Sequence, residues 1–138
     1  MEQKIEIAAC DRKYWEFVRL LRLNNNVSDG FIEKTNITRH QQESYMKQHS
    51  DCFRIALYNN QPAGYIGVIN DDIRICTHPS FQRKGVGKFL IEESIKIWPT
   101  AFAKIKLSNK ASQKLFESCG YEPKFLIYYK KWNTTLLK

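Results

Sequence analysis

The chain has 138 residues, of which 43% are hydrophobic and 26% charged, and its formal net charge is +8. This balance excludes a disordered chain, and the length predicts a single domain, residues 1–138, with a buried core. No apolar run reaches the length of a membrane span and the sequence does not open on a signal peptide, so we expect a cytoplasmic protein. The positive charge suits either an anionic small molecule or a nucleic acid.

Hydrophobic periodicity and turn residues predict ten elements in the order β-α-α-β-β-β-α-β-α-β. These are strand 5–9, helices 12–23 and 39–46, strands 53–58, 63–69 and 72–77, helix 86–98, strand 103–107, helix 110–119 and strand 125–132. Thr38 and Gln41 form a capping-box pattern, and Gly120 is placed to end the last helix in a left-handed conformation. The order predicts an α/β fold, with a mixed sheet and helices on both faces.

The cysteines are far apart in the sequence and form no C-x-x-C pair, which gives no support for a zinc or redox site. They are Cys10, Cys52, Cys76 and Cys119. We expect reduced thiols that pack as small hydrophobic residues, and no bound metal.

The segment from Gln82 to Lys88 follows a strand and opens directly into the apolar helix 86–98. Amides in the first turn of a helix have no intrahelical acceptor, and the helix dipole there favours an anion. Arg83 and Lys84 add positive charge to that of Lys88. The segment therefore predicts a pyrophosphate site, although it fits neither the P-loop nor the dinucleotide-binding pattern.

Gln82-Arg83-Lys84-Gly85-Val86-Gly87 fits [QR]-x-x-G-x-[GA] at every defined position, and so resembles the acyl-CoA-binding motif of the GNAT superfamily of N-acetyltransferases. A second block, from Asn109 to Pro123, is similar to the downstream N-x-x-[AS]-x-x-x-Y-x-x-x-G-[FY] pattern of the same superfamily. The resemblance covers 72–123. It implies a GNAT-like fold, with the element order given above, and an acetyl-CoA-dependent transferase.

The resemblance also implies where acetyl-CoA binds. Backbone groups of strand 72–77 would bind the pantetheine in a gap beside the strand at 104–108, and an amide of Cys76 or Thr77 would stabilise the thioester oxygen. The implied coenzyme-binding residues are Ile75, Cys76, Thr77, Gln82, Arg83, Lys84, Gly85, Val86, Gly87, Lys88, Asn109, Ser112 and Phe116. Asn109 would hold the pantetheine, or would simply cap the helix that follows it.

Phe116 departs from the family pattern, which often has at this place a tyrosine that protonates the departing thiolate. Three alternatives follow: the thiolate leaves without a side-chain acid, another tyrosine (Tyr121, Tyr128 or Tyr129) donates the proton, or the chain only binds the coenzyme. The resemblance does not assign the general base, for which Glu33 and His40 are the first candidates.

The resemblance places the acceptor site along residues 20–49. The segments 18–24 and 37–41 resemble the N-terminal part of members that acetylate amino sugars on nucleotides. We therefore expect direct attack by a primary amine of a small molecule, with peptide or protein substrates, polyamines and aminoglycosides left open. The net positive charge argues against a polyamine unless Asp29, Glu33 and Glu43 supply a local acidic surface.

A nucleic-acid-binding domain is the rival class, because the chain is basic and rich in tyrosine and tryptophan. Its sharpest basic cluster, however, lies inside the coenzyme motif, so the sequence favours the enzyme. Acetyl-CoA and an amine are the expected partners, with no membrane and no nucleic acid, and a homodimer is left open.

Overall fold

The computed structural model describes residues 3–24 and 36–131. Within these ranges the elements are β1 (Ile5–Ala9), α1 (Trp15–Leu23), α2 (Arg39–His49), β2 (Phe53–Tyr58), β3 (Gln61–Ile69), β4 (Asp72–Thr77), α3 (Val86–Ile97) and α4 (Lys110–Ser118). The strands form one antiparallel sheet in the order β1-β2-β3-β4, flanked by the helices. The predicted α/β class is confirmed. None of the helices in the described ranges combines the length and apolar character needed to cross a bilayer.

Local sequence determines several of the element boundaries. Thr38 and Gln41 make both hydrogen bonds of a capping box at the start of α2, as predicted. Gly120 has φ = 91° beyond the end of α4, also as predicted. The hairpin turns occupy residues 59–60 and 70–71, whose φ angles are all positive. A two-residue turn with positive φ at both positions matches the twist of the flanking strands. The first turn is therefore shorter than the connection 59–62 left between the predicted strands, because β3 already begins at Gln61.

The sheet separates two hydrophobic clusters. The cluster on the α1 and α2 side contains Cys10, Val18, Leu21, Met46, Phe53, Ile55, Tyr65 and Cys76. The cluster on the α3 and α4 side contains Ala56, Tyr58, Ala63, Ile66, Val68, Ile73, Val86, Leu90, Ile91, Ala101 and Phe116. Side chains alternate between the two faces of β4, so the side chain of Ile73 lies in the cluster on the α3 and α4 side and that of Cys76 in the cluster on the α1 and α2 side.

The predicted strand at 103–107 does not form a ladder. Within the described ranges, the pairing of this part of the chain with β4 is limited to an isolated parallel bridge between Phe102 and Asp72. The carbonyls of Lys106 and Leu107 accept hydrogen bonds from the side-chain amide of Gln113 instead, at 3.2 and 2.9 Å. Since a strand needs a neighbouring backbone for its hydrogen bonds, this segment has no regular ladder.

The last predicted strand, at 125–132, is also wrong for its described part, because residues 125–130 are neither strand nor helix. A run of large hydrophobic side chains in this segment is exposed, at Phe125, Leu126, Ile127, Tyr128 and Tyr129, by 66–89%. The composition favours a strand, but no described segment pairs with it.

Candidate active site

Among the described residues, one edge of β4 has no backbone partner beyond Ile73. The amide of His78 donates to Ala63 O of β3 at 2.8 Å, whereas the amide of Ile73 donates to Phe102 O on the opposite side, also at 2.8 Å. Backbone groups alternate between the two sides of an antiparallel strand, so Ile75 and Thr77 direct their N–H and C=O groups to the open edge. Those of Cys76 face β3 instead. The edge thus offers a ligand the N–H donor and C=O acceptor of Ile75 and, two residues further on, those of Thr77.

The loop before α3 presents a row of backbone amides. None of the amides from Arg83 to Lys88 donates to a described residue. Arg83 has φ = 64° and Gly85 has φ = 82°, and Gly85 is the N-cap of α3 without a side-chain cap. The left-handed Gly85 directly precedes the right-handed residues of α3, and such a junction turns neighbouring amides towards one concavity, which suits an anion. These amides add to the positive end of the α3 dipole.

The open edge and the amide row meet at Thr77. A Cβ placed on Gly87 would lie 3.7 Å from Thr77 Oγ1 and 3.0 Å from Leu115 Cδ2. Gly87 therefore lets the first turn of α3 pack closely between the end of β4 and α4. A Cβ on Gly85 would meet nothing within 4 Å, so this glycine is needed for its positive φ. The structure thus brings together the predicted residues on β4 and on the loop.

The basic side chains of the loop lie at the surface. Lys84 Nζ is 5.6 Å from the ring centroid of Tyr58, and that ring packs on Phe81 at 5.5 Å. His78 accepts a hydrogen bond at Nδ1 from the amide of Ser80, at 3.1 Å, and so caps the short turn Pro79–Phe81. His78 is thereby used structurally, and the loop retains exposed positive charge.

The predicted residues of α4 have structural partners. Asn109 Oδ1 accepts from the amide of Ser112 at 3.1 Å, which is the helix-cap alternative. Phe116 is 4% exposed and packs edge-on against Tyr121, with the ring centroids 5.2 Å apart. Burial raises the pKa of Tyr121. Of the three tyrosines considered as proton donors, Tyr121 lies against Phe116, whereas Tyr128 and Tyr129 are on the exposed segment.

Cys76 is buried and lies opposite Tyr65 in the ladder. Burial raises the pKa of its thiol to about 12, so the thiolate that a nucleophile requires is not formed near neutral pH. All four cysteines are free, as predicted. Within the described ranges, no three His, Cys, Asp or Glu side chains are grouped as metal ligands.

Of the two candidate bases, only His40 lies within the described residues. His40 is an exposed residue in the first turn of α2, and no hydrogen bond or ion pair among described residues links it to β4. Glu33 lies outside the described residues, as does Asp29. Glu43 is paired with Arg12 at 2.9 Å and with Lys47 at 3.7 Å.

The model of the Acetyltransferase (GNAT) family matches residues 14–121. No curated protein matches the chain significantly. Spermidine N-acetyltransferase from Vibrio cholerae, in complex with CoA and spermine, is similar in structure with 19% identity and a TM-score of 0.71, covering 84% of this chain and 79% of that one.

Two further solved structures are similar. A domain from Methanocaldococcus jannaschii has 23% identity and a TM-score of 0.76, with 89% of this chain and 91% of that chain covered. The aminoglycoside N-acetyltransferase AAC(6')-Iy, in complex with CoA, has 19% identity and a TM-score of 0.66, with 95% and 97% covered. At these identities the likeness shows the fold. Because the family model spans well over half of the chain, the protein belongs to the Acetyltransferase (GNAT) family and is an acetyl-CoA-dependent N-acetyltransferase.

Proposed function

We propose that the protein transfers the acetyl group of acetyl-CoA to a primary amine of a small molecule by direct attack. One observation carries this proposal: the open edge of β4 ends beside the amides of residues 83–88, none of which donates to another residue in the described part of the chain. Acetyl-CoA has a peptide-like pantetheine arm between its thioester and its pyrophosphate. The arm would lie along the edge like an added strand, with the pyrophosphate on the amides of the loop and of the first turn of α3.

The alternation of β4 decides which backbone groups would act. The outward groups of Ile75 would hold the pantetheine, and the outward N–H of Thr77 would stabilise the charge on the thioester oxygen. The amide of Cys76, the sequence-based candidate for both roles, faces β3, so the neighbouring residues Ile75 and Thr77 would take these roles instead. The Cys76 side chain would contribute packing on the acceptor side of the sheet.

The chemistry is a single displacement. The amine nitrogen attacks the thioester carbon, the C–S bond breaks, the sulfur leaves as a thiolate, and the nitrogen loses a proton to a base. An acetylated Cys76 would require its thiolate, which burial disfavours. His40 is our candidate base in the described part of the chain, acting directly or through water, and Glu33 keeps that role as a proposal.

Amino sugars, including aminoglycosides, are the acceptors that we favour. The carboxylates of Glu16 and Glu43, between α1 and α2, are both paired with arginine: Glu16 with Arg19 and Arg39, and Glu43 with Arg12. Neither is available as an unpaired anion for a polycation, which disfavours a polyamine. The similarity to an aminoglycoside N-acetyltransferase supports the same choice, whereas spermine is bound in another similar protein. A cytoplasmic location stays a prediction.

An acetyl-transfer assay that follows thiol release would test this function. Purified protein is incubated with acetyl-CoA and with aminoglycosides, amino-sugar nucleotides, polyamines or peptides in turn. Turnover confined to amino sugars is expected. Turnover with peptides alone would move the assignment to a peptide N-acetyltransferase, and coenzyme binding without any turnover would indicate a silent acyl-CoA-binding module.

A pair of variants at Ile75 tests whether acetyl-CoA binds along the open edge of β4. Ile75→Pro removes an outward amide, whereas Ile75→Ala keeps it, so calorimetry should show weakened acetyl-CoA binding for the proline variant alone. Circular dichroism would verify that both variants are folded. Equal affinities in two folded variants would refute binding along this edge. Incubation with acetyl-CoA alone, followed by mass spectrometry of the intact protein, should leave Cys76 unacetylated.

A further inference from the structure

Two arginines lie on the acceptor side of the sheet without a partner in the described ranges. Side chains alternate along β4, so the exposed Arg74 is on the same face as Cys76, which belongs to the cluster on the α1 and α2 side. Arg22 is half-buried in the last turn of α1, the helix that packs on this face. Neither guanidinium forms a hydrogen bond or an ion pair with a described residue. The arginines between α1 and α2 are by contrast paired with glutamate: Arg12, Arg19 and Arg39.

The two positive charges act on the same buried side chain, that of Tyr65. This residue lies opposite Cys76 in the ladder, is 3% exposed, and makes no side-chain hydrogen bond with a described residue. Burial raises the pKa of Tyr65, as does the Cys76 thiol, whereas Arg22 and Arg74 both lower it. The two arginines therefore approach one hydroxyl from α1 and from β4. Because the net shift is upward, the hydroxyl stays protonated near neutral pH and can donate a hydrogen bond.

Within the described ranges, no carboxylate is paired with either arginine. Gly67 is opposite Arg74 in the ladder and has no side chain. The Phe53 ring occupies the space beside it, since a Cβ on Gly67 would collide with that ring. Asp72, two residues before Arg74, is paired with Lys104 at 3.8 Å. The surface beside Tyr65 thus carries unpaired positive charge next to apolar groups, which suits an anion.

The distance along β4 limits how far such an anion can be from the reaction. Thr77, whose amide is proposed to face the thioester oxygen, is three residues beyond Arg74, so their Cα atoms are roughly 10 Å apart. A guanidinium binds a phosphate or a carboxylate through two parallel hydrogen bonds. An anion held by Arg74 would therefore lie about one sugar ring away from an amine at the thioester.

We propose that the acceptor amine also carries an anionic group, a phosphate or a carboxylate, which Arg22 and Arg74 bind on the acceptor side of β4. This inference rests on the proposed acetyl transfer and narrows its acceptor. Amino sugars with an anionic group are expected ahead of aminoglycosides and polyamines, because two unpaired arginines repel a polycation. The hydroxyl of Tyr65 would add a neutral donor to the same anion. Arg22 and Arg74 would thus determine specificity without taking part in the chemistry.

Steady-state rates with acceptors that differ only in a phosphate test this proposal. Glucosamine 1-phosphate or 6-phosphate should exceed glucosamine in kcat/KM by about tenfold, mainly through a lower KM, and added salt should reduce this ratio. Arg22→Gln and Arg74→Gln keep a polar side chain without the charge, and each should lower the ratio about threefold. Arg12→Gln is the matched control, since Arg12 is already paired with Glu43, and should leave the ratio unchanged.

A second pair of acceptors, glycine and glycinamide, identifies the anion. A preference for glycine without one for the sugar phosphates would support a carboxylate, and the reverse a phosphate. A preference for neither anion, or faster turnover of kanamycin than of every anionic amine, would overturn the proposal. So would a preference that persists in the double variant Arg22→Gln, Arg74→Gln.

Binding measurements separate failure of this inference from failure of the proposed function. Calorimetry of the CoA-saturated protein with glucosamine and with its phosphates requires no turnover, and circular dichroism verifies that the variants are folded. If no amine is acetylated, the proposed function fails, but tighter binding of a sugar phosphate that is lost in the double variant would still support the anion site. Equal binding of the sugar and its phosphates, together with equal binding of glycine and glycinamide, would overturn it.

Discussion

Gly87 faces Leu115 so closely that a Cβ at position 87 would lie 3.0 Å from Leu115 Cδ2. The second glycine of the motif therefore serves the contact between α3 and α4 in this protein. That contact holds the amide row of α3 beside Thr77. The motif thus encodes the position of the helix N-terminus, in addition to access to its backbone.

A larger residue at Gly87 should destabilise the protein through this contact. We expect Gly87→Leu to lower the free energy of unfolding by about 1–3 kcal/mol, because it overpacks the interface of the two helices. Urea denaturation measures the loss. In a Leu115→Ala background, which opens space, the same substitution should cost less, and a strictly additive double mutant would show that the two residues do not interact.

Adding a hydroxyl at Phe116 should change turnover little. The side chain is 4% exposed and lies in the α3-side cluster, so the hydroxyl of Phe116→Tyr would be buried among apolar groups. We expect a stability loss of about 1–3 kcal/mol, from an unsatisfied hydroxyl, and a change in kcat below the roughly hundredfold of a positioned acid. Melting curves and steady-state rates measure both quantities. A gain near a hundredfold would mean that the native enzyme lacks an acid that it needs.

The pH profile of the same reaction gives a separate prediction. If the thiolate leaves unprotonated, kcat should rise with pH as the base loses its proton and should show no descending limb from a side-chain acid. Tyr121→Phe should leave the profile unchanged. A descending limb that disappears in this variant would instead identify Tyr121 as the proton donor.

Stability should fall at alkaline pH because of the buried thiols. Burial raises the pKa of Cys76 from 9.0 to about 12 and that of Cys10 from 9.0 to about 11. At a pH between 9.0 and the raised pKa of each thiol, the unfolded chain loses a thiol proton that the folded chain keeps. Unfolding therefore becomes more favourable as pH rises above 9.0. Denaturation measured from about pH 8, below this window, to about pH 11 should show a shallower decline in stability for Cys76→Ala. An identical decline would mean that the thiol is not buried in solution.

Lys88 should contribute to coenzyme affinity by charge alone. Its side chain is exposed in the first turn of α3, so Lys88→Ala should raise the Kd for CoA about twofold to fivefold. Lys114 is exposed on α4 and gives a matched control, whose replacement by alanine should leave the Kd unchanged. Calorimetry in low and high salt should show a smaller salt effect for Lys88→Ala. Equal effects of both variants would indicate a diffuse rather than a local attraction.

The sequence predicted best what depends on local chemistry. The capping box at Thr38, the left-handed Gly120 and the loop before α3 all follow from residue types within a few positions of one another, and the structure confirms each of them. The superfamily was also found from local motifs, and the family match confirms it together with the acetyltransferase activity. The roles of the individual site residues stay predictions.

Features that depend on pairing with a backbone segment distant in the sequence could not be predicted from the sequence. Residues 103–107 and 125–131 have the composition of strands, but a ladder needs a neighbour, and composition carries no information about one. Gln113, which binds the carbonyls of residues 106 and 107, gave no signal because glutamine on an exposed helix face is common. The outward direction of Thr77 required the hydrogen-bonding register of β4, which no single residue reveals.

That register has an evolutionary consequence. A ligand edge made of N–H and C=O groups is independent of side-chain identity, so β4 can change at positions 75 and 77 without losing it, provided that no proline enters and the strand still pairs with β3. Acceptor preference, which depends on side chains, can therefore drift while the donor stays the same. Searches for invariant residues would overlook this edge, and inhibitors directed at it would meet little resistance through point substitution.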